Sequence, residues 1–424
     1  EIESPERTVE IVERGIATAL QGRMGPVVIA LPEDILHDDG GPAPVRPVTP
    51  ARAALDPATL REIESRLAKA ERPLLIVGGS GWTDEAAHAL AAWSEALGLP
   101  VSGSFRRKDI IANDRPNYAG DLGLGCNPKL MARAKNADLI IAIGARLGEN
   151  PTQGYTLFDR GHTARVLVHI HPGPEELGRV WPTLTSAVAD NSLAALALSQ
   201  LEPGRTWHDQ GEAAHAHFDA FSTPVEVTGA VNMSLCMKHL GEVMPADAIV
   251  TNGAGNFAAW LHRFYRHRAC RTQLAPTSGA MGYGWPAALA AKAVHPDREV
   301  ICVAGDGDFM MTGQEMATAV QHGLNPVVIV VDNSTYGTIR MHQEGHYPGA
   351  ERVIATDLKN PDFVKWAEAF GAFGVRCETT DAFPHALATA RHEARAQGVP
   401  ALIHLITSAE DIAPNRTISG MRGG

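Results

Sequence analysis

The chain has 424 residues, 45% of them apolar and 20% charged, with a formal net charge of −11. That length allows two or three domains, each able to bury a real core. The acidic balance argues against a general nucleic-acid binder, and no apolar run approaches the roughly 20 residues that a membrane-spanning helix needs.

Residues 7–22 carry a helical pattern, and residues 25–31 read as a strand. One helix and one strand cannot bury their apolar faces alone, so 1–36 reads as the remnant of a domain. Residues 37–57 hold prolines at 42, 44, 47, 50 and 57, a spacing that forbids regular structure and reads as a linker. From 58 to 200 strands at 73–77, 138–143 and 165–170 alternate with helices at 58–70, 84–97, 127–136 and 191–200. The alternation predicts a doubly wound α/β domain. Gly78-Gly-Ser-Gly81 follows its first strand. The spacing is not Gly-x-Gly-x-x-Gly, and no acidic residue ends a second strand, so a tight strand-to-helix turn is the stronger reading. His169 and His171 alternate along a strand and read as structural. A connector follows at 201–227, with a helix at 207–221 whose Ala and His content suggests a solvated surface. A second doubly wound parallel-sheet domain is predicted at 228–406, with strands at 248–251, 299–304, 326–331, 372–376 and 401–406. The polar tail 407–424 reads as disordered, with a lid as the alternative. Cys236, Cys302 and Cys377 fall in helix- or strand-like runs and read as buried thiols. With Cys126 and Cys270 they show no close pairing, which favours a reducing, cytoplasmic location and no cysteine zinc site.

Chemistry concentrates in two apolar runs of the last domain. Ile301-Cys-Val-Ala-Gly-Asp-Gly-Asp-Phe309 and Val327-Val-Ile-Val-Val-Asp-Asn-Ser-Thr-Tyr-Gly337 each end in residues that offer oxygen ligands. Thr312-Gly-Gln-Glu315 has capping-box spacing and predicts a helix starting near Gly313, which Gly323 ends. The unit is β-α-β, so a right-handed crossover makes its strands parallel and neighbouring. Asp306 and Asn333 then share the carboxyl edge of one sheet, where open α/β sheets bind ligands. The geometry suits Mg²⁺ with a diphosphate, because Mg²⁺ takes few protein oxygens and fills its octahedron with phosphate and water. Gly305 and Gly307 let the backbone approach an anion, and the helix start adds positive potential. Asp308 has two readings, a turn cap or a contact with the metal's water shell. Gly-Asp-Gly alone is a common turn. An apolar strand ending in Asp-x-Asp also fits aspartate-nucleophile phosphohydrolases, but they place it near the domain start, and this domain begins about 70 residues earlier.

Gly305-Asp-Gly307 followed by Asn333 resembles the signature of thiamine-diphosphate enzymes, in the acetolactate synthase, benzoylformate decarboxylase and pyruvate oxidase branch. Thr277-Ser-Gly-Ala-Met-Gly-Tyr-Gly-Trp-Pro-Ala-Ala288 resembles the branch's aminopyrimidine segment, and Gly253-Ala-Gly-Asn-Phe257 its diphosphate loop. Arg72-Pro-Leu-Leu-Ile-Val-Gly-Gly-Ser-Gly81 is similar to the start of its central domain, and Gly25-Pro-Val-Val-Ile-Ala-Leu-Pro-Glu-Asp34 to the end of its pyrimidine-binding domain. The likeness runs along essentially the whole chain.

The resemblance implies thiamine diphosphate and Mg²⁺ as cofactors and a small 2-oxo acid as substrate, with no nucleic-acid or membrane partner. Decarboxylation with carboligation, acetolactate synthase-like, is the main expectation. Non-oxidative decarboxylation of the benzoylformate decarboxylase type is the alternative. Asp306, Asn333 and the Thr335 carbonyl would hold Mg²⁺. Gly253, Asn256, Phe257, Gly307, Asp308, Tyr336 and Gly337 would line the diphosphate. The Gly279 carbonyl would accept from the aminopyrimidine, and Met281 would keep the cofactor bent, ordinary core packing being its other reading. Arg340 and His342 would engage a substrate carboxylate or form surface ion pairs with Glu344. His342 stands where herbicide-sensitive acetohydroxyacid synthases carry a Trp, which weakens the biosynthetic assignment. The family's activating Glu belongs to the pyrimidine-binding domain, most of which is expected to be missing from these residues. The chain alone would then be an inactive cofactor-binding module. Some family members carry FAD or an adenine nucleotide in the central domain; Gly144-Ala-Arg-Leu-Gly148 is too faint a match to support FAD here. A homodimer or homotetramer is implied for the intact protein.

Overall fold

The apolar runs picked out above become central strands buried along their whole length, as a parallel strand covered on both faces requires. The computed structural model describes residues 1–424 except 42, 43, 45, 348–352, 423 and 424. Pro42 of the linker and the last two glycines of the tail therefore lie outside the described residues. The strands in chain order are β1 (Pro73–Val77), β2 (Val101–Gly103), β3 (Tyr118–Asp121), β4 (Leu139–Ile143), β5 (Leu167–His171), β6 (Thr185–Val188), β7 (Ile249–Asn252), β8 (Gln273–Leu274), β9 (Val300–Gly305), β10 (Val327–Asp332), β11 (Phe373–Cys377) and β12 (Ala401–Ile406). They make two six-stranded parallel sheets, ordered β3-β2-β1-β4-β5-β6 and β11-β12-β10-β9-β7-β8. Both are doubly wound α/β sheets. By its contacts the chain divides into one unit of 1–104 with 131–212 and another of 105–130 with 213–424.

In the second unit the two-residue period of the strands divides the core. Ile301, Val303, Val327, Ile329, Val331, Ile403 and Leu405 point to one face and pack with helices Met233–Val243, Phe257–Phe264 and Phe383–Gln397. Val300, Cys302, Ala304, Val328, Val330 and Leu402 point to the other, against helices Gly284–Val294, Met316–Gln321 and Phe363–Ala369. Cys236, Cys302 and Cys377 are buried free thiols, as expected.

Several local expectations change. Residues 25–31 form no strand, because the extended backbone has no neighbouring strand; Ile2 N donates to Ala30 O, and Val28 is 93% exposed. Helix Thr8–Leu20 precedes it as read. Helix His208–Phe221 is not a solvated connector throughout, since Ala214 and Phe218 are buried and Phe218 meets Tyr118 edge-on. The tail is structured through Arg422. Ile412 and Ile418 are buried, and residues Ile418–Arg422 form a short helix whose Arg422 pairs with Glu344 at 2.6 Å. No helix among the described residues is long and apolar enough to cross a membrane.

Candidate functional site

The second sheet reverses its strand order between β7 and β9, and the crevice above such a switch point is where α/β sheets hold ligands. Gly253 follows β7 and Asp306 follows β9. In the parallel pairing of β9 and β10, Gly305 stands opposite Val331, which brings Asp306 level with Asp332 and leaves Asn333 one step beyond the edge. A cavity of about 260 Å³ opens there. Its lining includes Asn256, Phe257, Gly279, Met281, Asp306, Gly307, Asp308, Asn333, Thr335, Tyr336 and Gly337, so the fold gathers almost every residue singled out by motif. Gly253 sits just behind, with the Asp308 carboxylate against it.

Two helices begin at this cavity with no side-chain cap, Phe257–Phe264 after Asn256 and Gly337–His346 after Tyr336. At the first of them Ala258 N and Ala259 N already donate to Gly255 O and Asn256 O, so the positive end of the helix rather than a row of free N–H groups faces the cavity; two helix starts on one cavity still fit an anion with several oxygens. Asn256 is kept at the rim by Thr338, whose hydroxyl donates to its Oδ1 at 2.9 Å. Hard oxygen donors stand beside these ends: the Asp306 carboxylate, the Asn333 amide oxygen and the Thr335 carbonyl. Ser334 between them is left-handed, at φ 54°, and both its N–H and its hydroxyl donate to Asp332 Oδ1. Tyr336 N donates to Thr356 O, and Leu358 N to Ser334 O, which fastens the loop to a neighbouring segment. The donor set and the uncapped ends fit Mg²⁺ with a diphosphate.

The motif glycines have a packing role that motif reading did not foresee. A Cβ on Gly305 would lie 2.7 Å from the Phe257 ring, and one on Gly307 2.5 Å from the Tyr336 ring. These glycines let aromatic rings approach the backbone. Thr312 does not start a capped helix. Its hydroxyl donates to Gly282 O at 2.8 Å, residues Gly313–Glu315 form a 3₁₀ turn, and the α-helix begins only at Met316.

One oxygen of Asp308 holds turns, while its Oδ2 is buried without a partner among the described residues. Its Oδ1 accepts from Ala254 N at 3.0 Å and Gly282 N at 2.9 Å, tying together the loops after β7 and before helix Gly284–Val294. Burial raises its pKa to about 6, against the pull of those two bonds. A carboxyl whose pKa is higher folded than unfolded stabilises at low pH and loses that contribution as pH rises through the folded value. In cofactor-free protein this group should make the chain less stable at pH 7 than at pH 5, by about 1 kcal/mol. Urea unfolding of wild type and Asp308→Asn at both pH values measures it as a difference of differences. No change of slope between the two proteins would mean the carboxylate is not destabilised by burial.

Met281 is 37% exposed at the cavity wall, which sets aside its core-packing reading. Gly279 is left-handed, at φ 74°, with open space where a Cβ would stand. Arg340 divides between Glu344 at 3.6 Å and Asp357 at 3.4 Å and lines no described cavity wall. His342 is exposed on a second cavity and pairs with no carboxylate among the described residues. In the first unit, Gly79 and Gly144 pack on each other and on Asn191, with a Cβ on Gly144 only 2.5 Å from Gly78 O. His169 bonds Ala145 O and His171 bonds Gly173, both structural contacts.

Motif reading missed the support behind the metal side. Asn360 Nδ2 donates to Asp306 Oδ2 at 2.7 Å and to Asp332 Oδ1 at 2.8 Å. His404 on β12 meets Asp332 Oδ2 at 2.8 Å.

Comparison with known proteins identifies both sheet domains. The profile of the C-terminal TPP-binding domain of thiamine pyrophosphate enzymes matches residues 253–405, and that of their central domain matches 60–201. The acetolactate synthase isozyme 2 large subunit of Escherichia coli is 28% identical over 391 residues, spanning 92% of this chain and 70% of that protein. An acetolactate synthase of Mycobacterium bovis is 30% identical over 380 residues, spanning 85% of this chain and 60% of that protein. A solved thiamine diphosphate-dependent 4-hydroxybenzoylformate decarboxylase of Rhodococcus jostii has a TM-score of 0.79 at 23% identity, covering 96% of this chain and 75% of that one, a likeness of fold. The chain thus spans 60% to 70% of the length of these two curated relatives. With profile matches over both sheets, the chain belongs to the thiamine pyrophosphate enzymes.

Proposed function

We propose that the protein is a Mg²⁺-dependent, acetolactate synthase-like enzyme that decarboxylates one 2-oxo acid and joins the remainder to a second carbonyl compound. The observation that carries this reading is the convergence of two uncapped helix ends, Asp306, Asn333 and the Thr335 carbonyl on one cavity, in a chain whose curated relatives include acetolactate synthases. Thiamine diphosphate, when bound, supplies the electron sink for carbon–carbon cleavage. The chain's part is to hold and orient. Asp306, Asn333 and the Thr335 carbonyl would hold the metal, the helix starts after Asn256 and Tyr336 would face the diphosphate, and Met281 stands on the cavity wall with Gly279. The same reading has the intact protein work as a cytoplasmic homo-oligomer. Non-oxidative decarboxylation remains a second reading, favoured by His342 where a Trp shapes the acceptor pocket of related synthases. Intact protein supplied with pyruvate, Mg²⁺ and thiamine diphosphate is expected to release CO₂ and form acetolactate. Aldehyde with no acetolactate, from pyruvate or from benzoylformate, would select the second reading.

A further inference from the structure

A second cavity of about 480 Å³ lies in the second unit, and shares Gly255, Asn256 and Thr338 with the wall of the first. Its lining contains two buried donors that lack acceptors. Arg106 is only 7% exposed. Its Nη1 donates to Pro276 O at 2.5 Å, while its buried Nε has no partner. No carboxylate among the described residues lies within ion-pair distance, and Asp308 acts on it only at longer range. Nε lies on the edge that grips a carboxylate with two parallel bonds, and in the cofactor-free fold it is buried with no acceptor among the described residues. The Arg106 backbone is left-handed, at φ 57°, a conformation that a side-chain-bearing residue keeps only where its surroundings impose it.

His262 is the second donor. Gln273 Oε1 accepts from Lys108 N at 2.8 Å, which settles the amide's orientation, so Gln273 Nε2 donates to His262 Nδ1 at 3.2 Å. The imidazole proton then sits on Nε2, and Nε2 is buried without a partner. Burial, with Lys108 and Arg106 nearby, pushes this histidine down to about 3, so it stays a neutral donor near pH 7. The carboxylate in the lining, Asp121, is already engaged by Lys108 at 3.7 Å. A buried guanidinium without a counter-ion is strongly unfavourable unless an anion completes it.

We infer that this cavity receives the carboxylate of a small 2-oxo acid, held by the Nε edge of Arg106 and by His262 Nε2–H. The inference rests on the proposed function and gives it a substrate-recognition pair, of which Arg106 lies far in sequence from every cofactor motif. It also replaces Arg340, whose charge is shared between two carboxylates.

The test uses the full chain and two probes, pyruvate and its uncharged methyl ester, with binding followed by saturation-transfer NMR. Pyruvate should bind, and methyl pyruvate should bind at least about tenfold more weakly, as expected when a charge-assisted bond is lost. Arg106→Gln should weaken pyruvate binding by about tenfold to a hundredfold, with Arg106→Lys intermediate because it keeps the charge and loses the fork. The thermal shift given by Mg²⁺ with thiamine diphosphate should survive in both variants. Equal binding of acid and ester to wild type overturns the inference, and needs no variant to fold. So does pyruvate binding unchanged in Arg106→Gln, or a cofactor shift lost along with it, which would move the arginine to the cofactor. A cofactor shift without pyruvate binding defeats this inference and leaves the proposed function standing. Charge-selective pyruvate binding without any cofactor shift supports the cavity and defeats the proposed function.

Discussion

Asp306→Ala should abolish the stabilisation that Mg²⁺ with thiamine diphosphate gives the wild-type chain. A ligand at about 100 times its Kd adds about 2.7 kcal/mol to a fold it binds specifically. The carboxylate is the one charged oxygen donor in the proposed metal set, so its loss removes that gain. Asp306→Asn sharpens the test. It keeps an oxygen for Asn360 Nδ2, which now donates to Asp306 Oδ2 at 2.7 Å, while removing the charge. Burial already raises the pKa of this carboxyl, so neutralising it should not weaken the cofactor-free fold. Thermal shift is read with Mg²⁺ alone, thiamine diphosphate alone, and both. Wild type should respond strongly only to both, and the two variants weakly to any. Equal shifts in all three proteins would take Asp306 out of the metal site.

What could be read in advance follows the range of the interactions. β9 and β10 were legible because each is a six-residue apolar run with turn residues at its end, and their adjacency followed from crossover handedness. β2, β3, β6 and β8 span only three, four, four and two residues, too few for a period to emerge. Residues 25–31 have strand composition, but a strand exists only through its neighbours. The site itself was legible where its chemistry is local: Asp306, Asn333 and Thr335 stand directly after strand ends. Their supports were not. His404 lies 72 residues from Asp332 and meets it only because β12 pairs with β10. Arg106 reaches a carbonyl 170 residues away. The first contact is set by sheet order and the second by tertiary packing, neither of which a local pattern encodes. Thr312 failed in the opposite way: its spacing was right for a cap, and a tertiary partner, Gly282 O, took the hydroxyl.

Asp332 should prove the most costly single residue to remove near the site. Its carboxylate is buried and accepts four bonds, from His404 Nε2, Asn360 Nδ2, Ser334 N and Ser334 Oγ. Burial alone would raise its pKa; the bonds from His404, Asn360 and Ser334 outweigh burial and hold it below the usual carboxylate range. Removing one member of a buried charged network typically costs about 3–5 kcal/mol, because the remaining polar groups stay buried without partners. Asp332→Ala strands His404, which is packed edge-on against Phe363, and lets Ser334 and Asn360 drift from the metal side. It should therefore lower both the stability of the second unit and the affinity for Mg²⁺ with thiamine diphosphate. Asp332→Asn, with its amide oxygen in the Oδ1 position, keeps three of the acceptor contacts and loses only that from His404, so it should lose less. The sign with pH is opposite to that of Asp308. A carboxyl whose pKa is lower folded than unfolded stabilises above the unfolded value and loses that contribution as pH falls. Wild type should thus lose this contribution below about pH 4, and Asp332→Asn should not. Urea unfolding gives the stability change, and a cycle with His404→Phe isolates the pair. A loss under about 1 kcal/mol for Asp332→Ala, or additive effects in the cycle, would mean that the network does not hold the site.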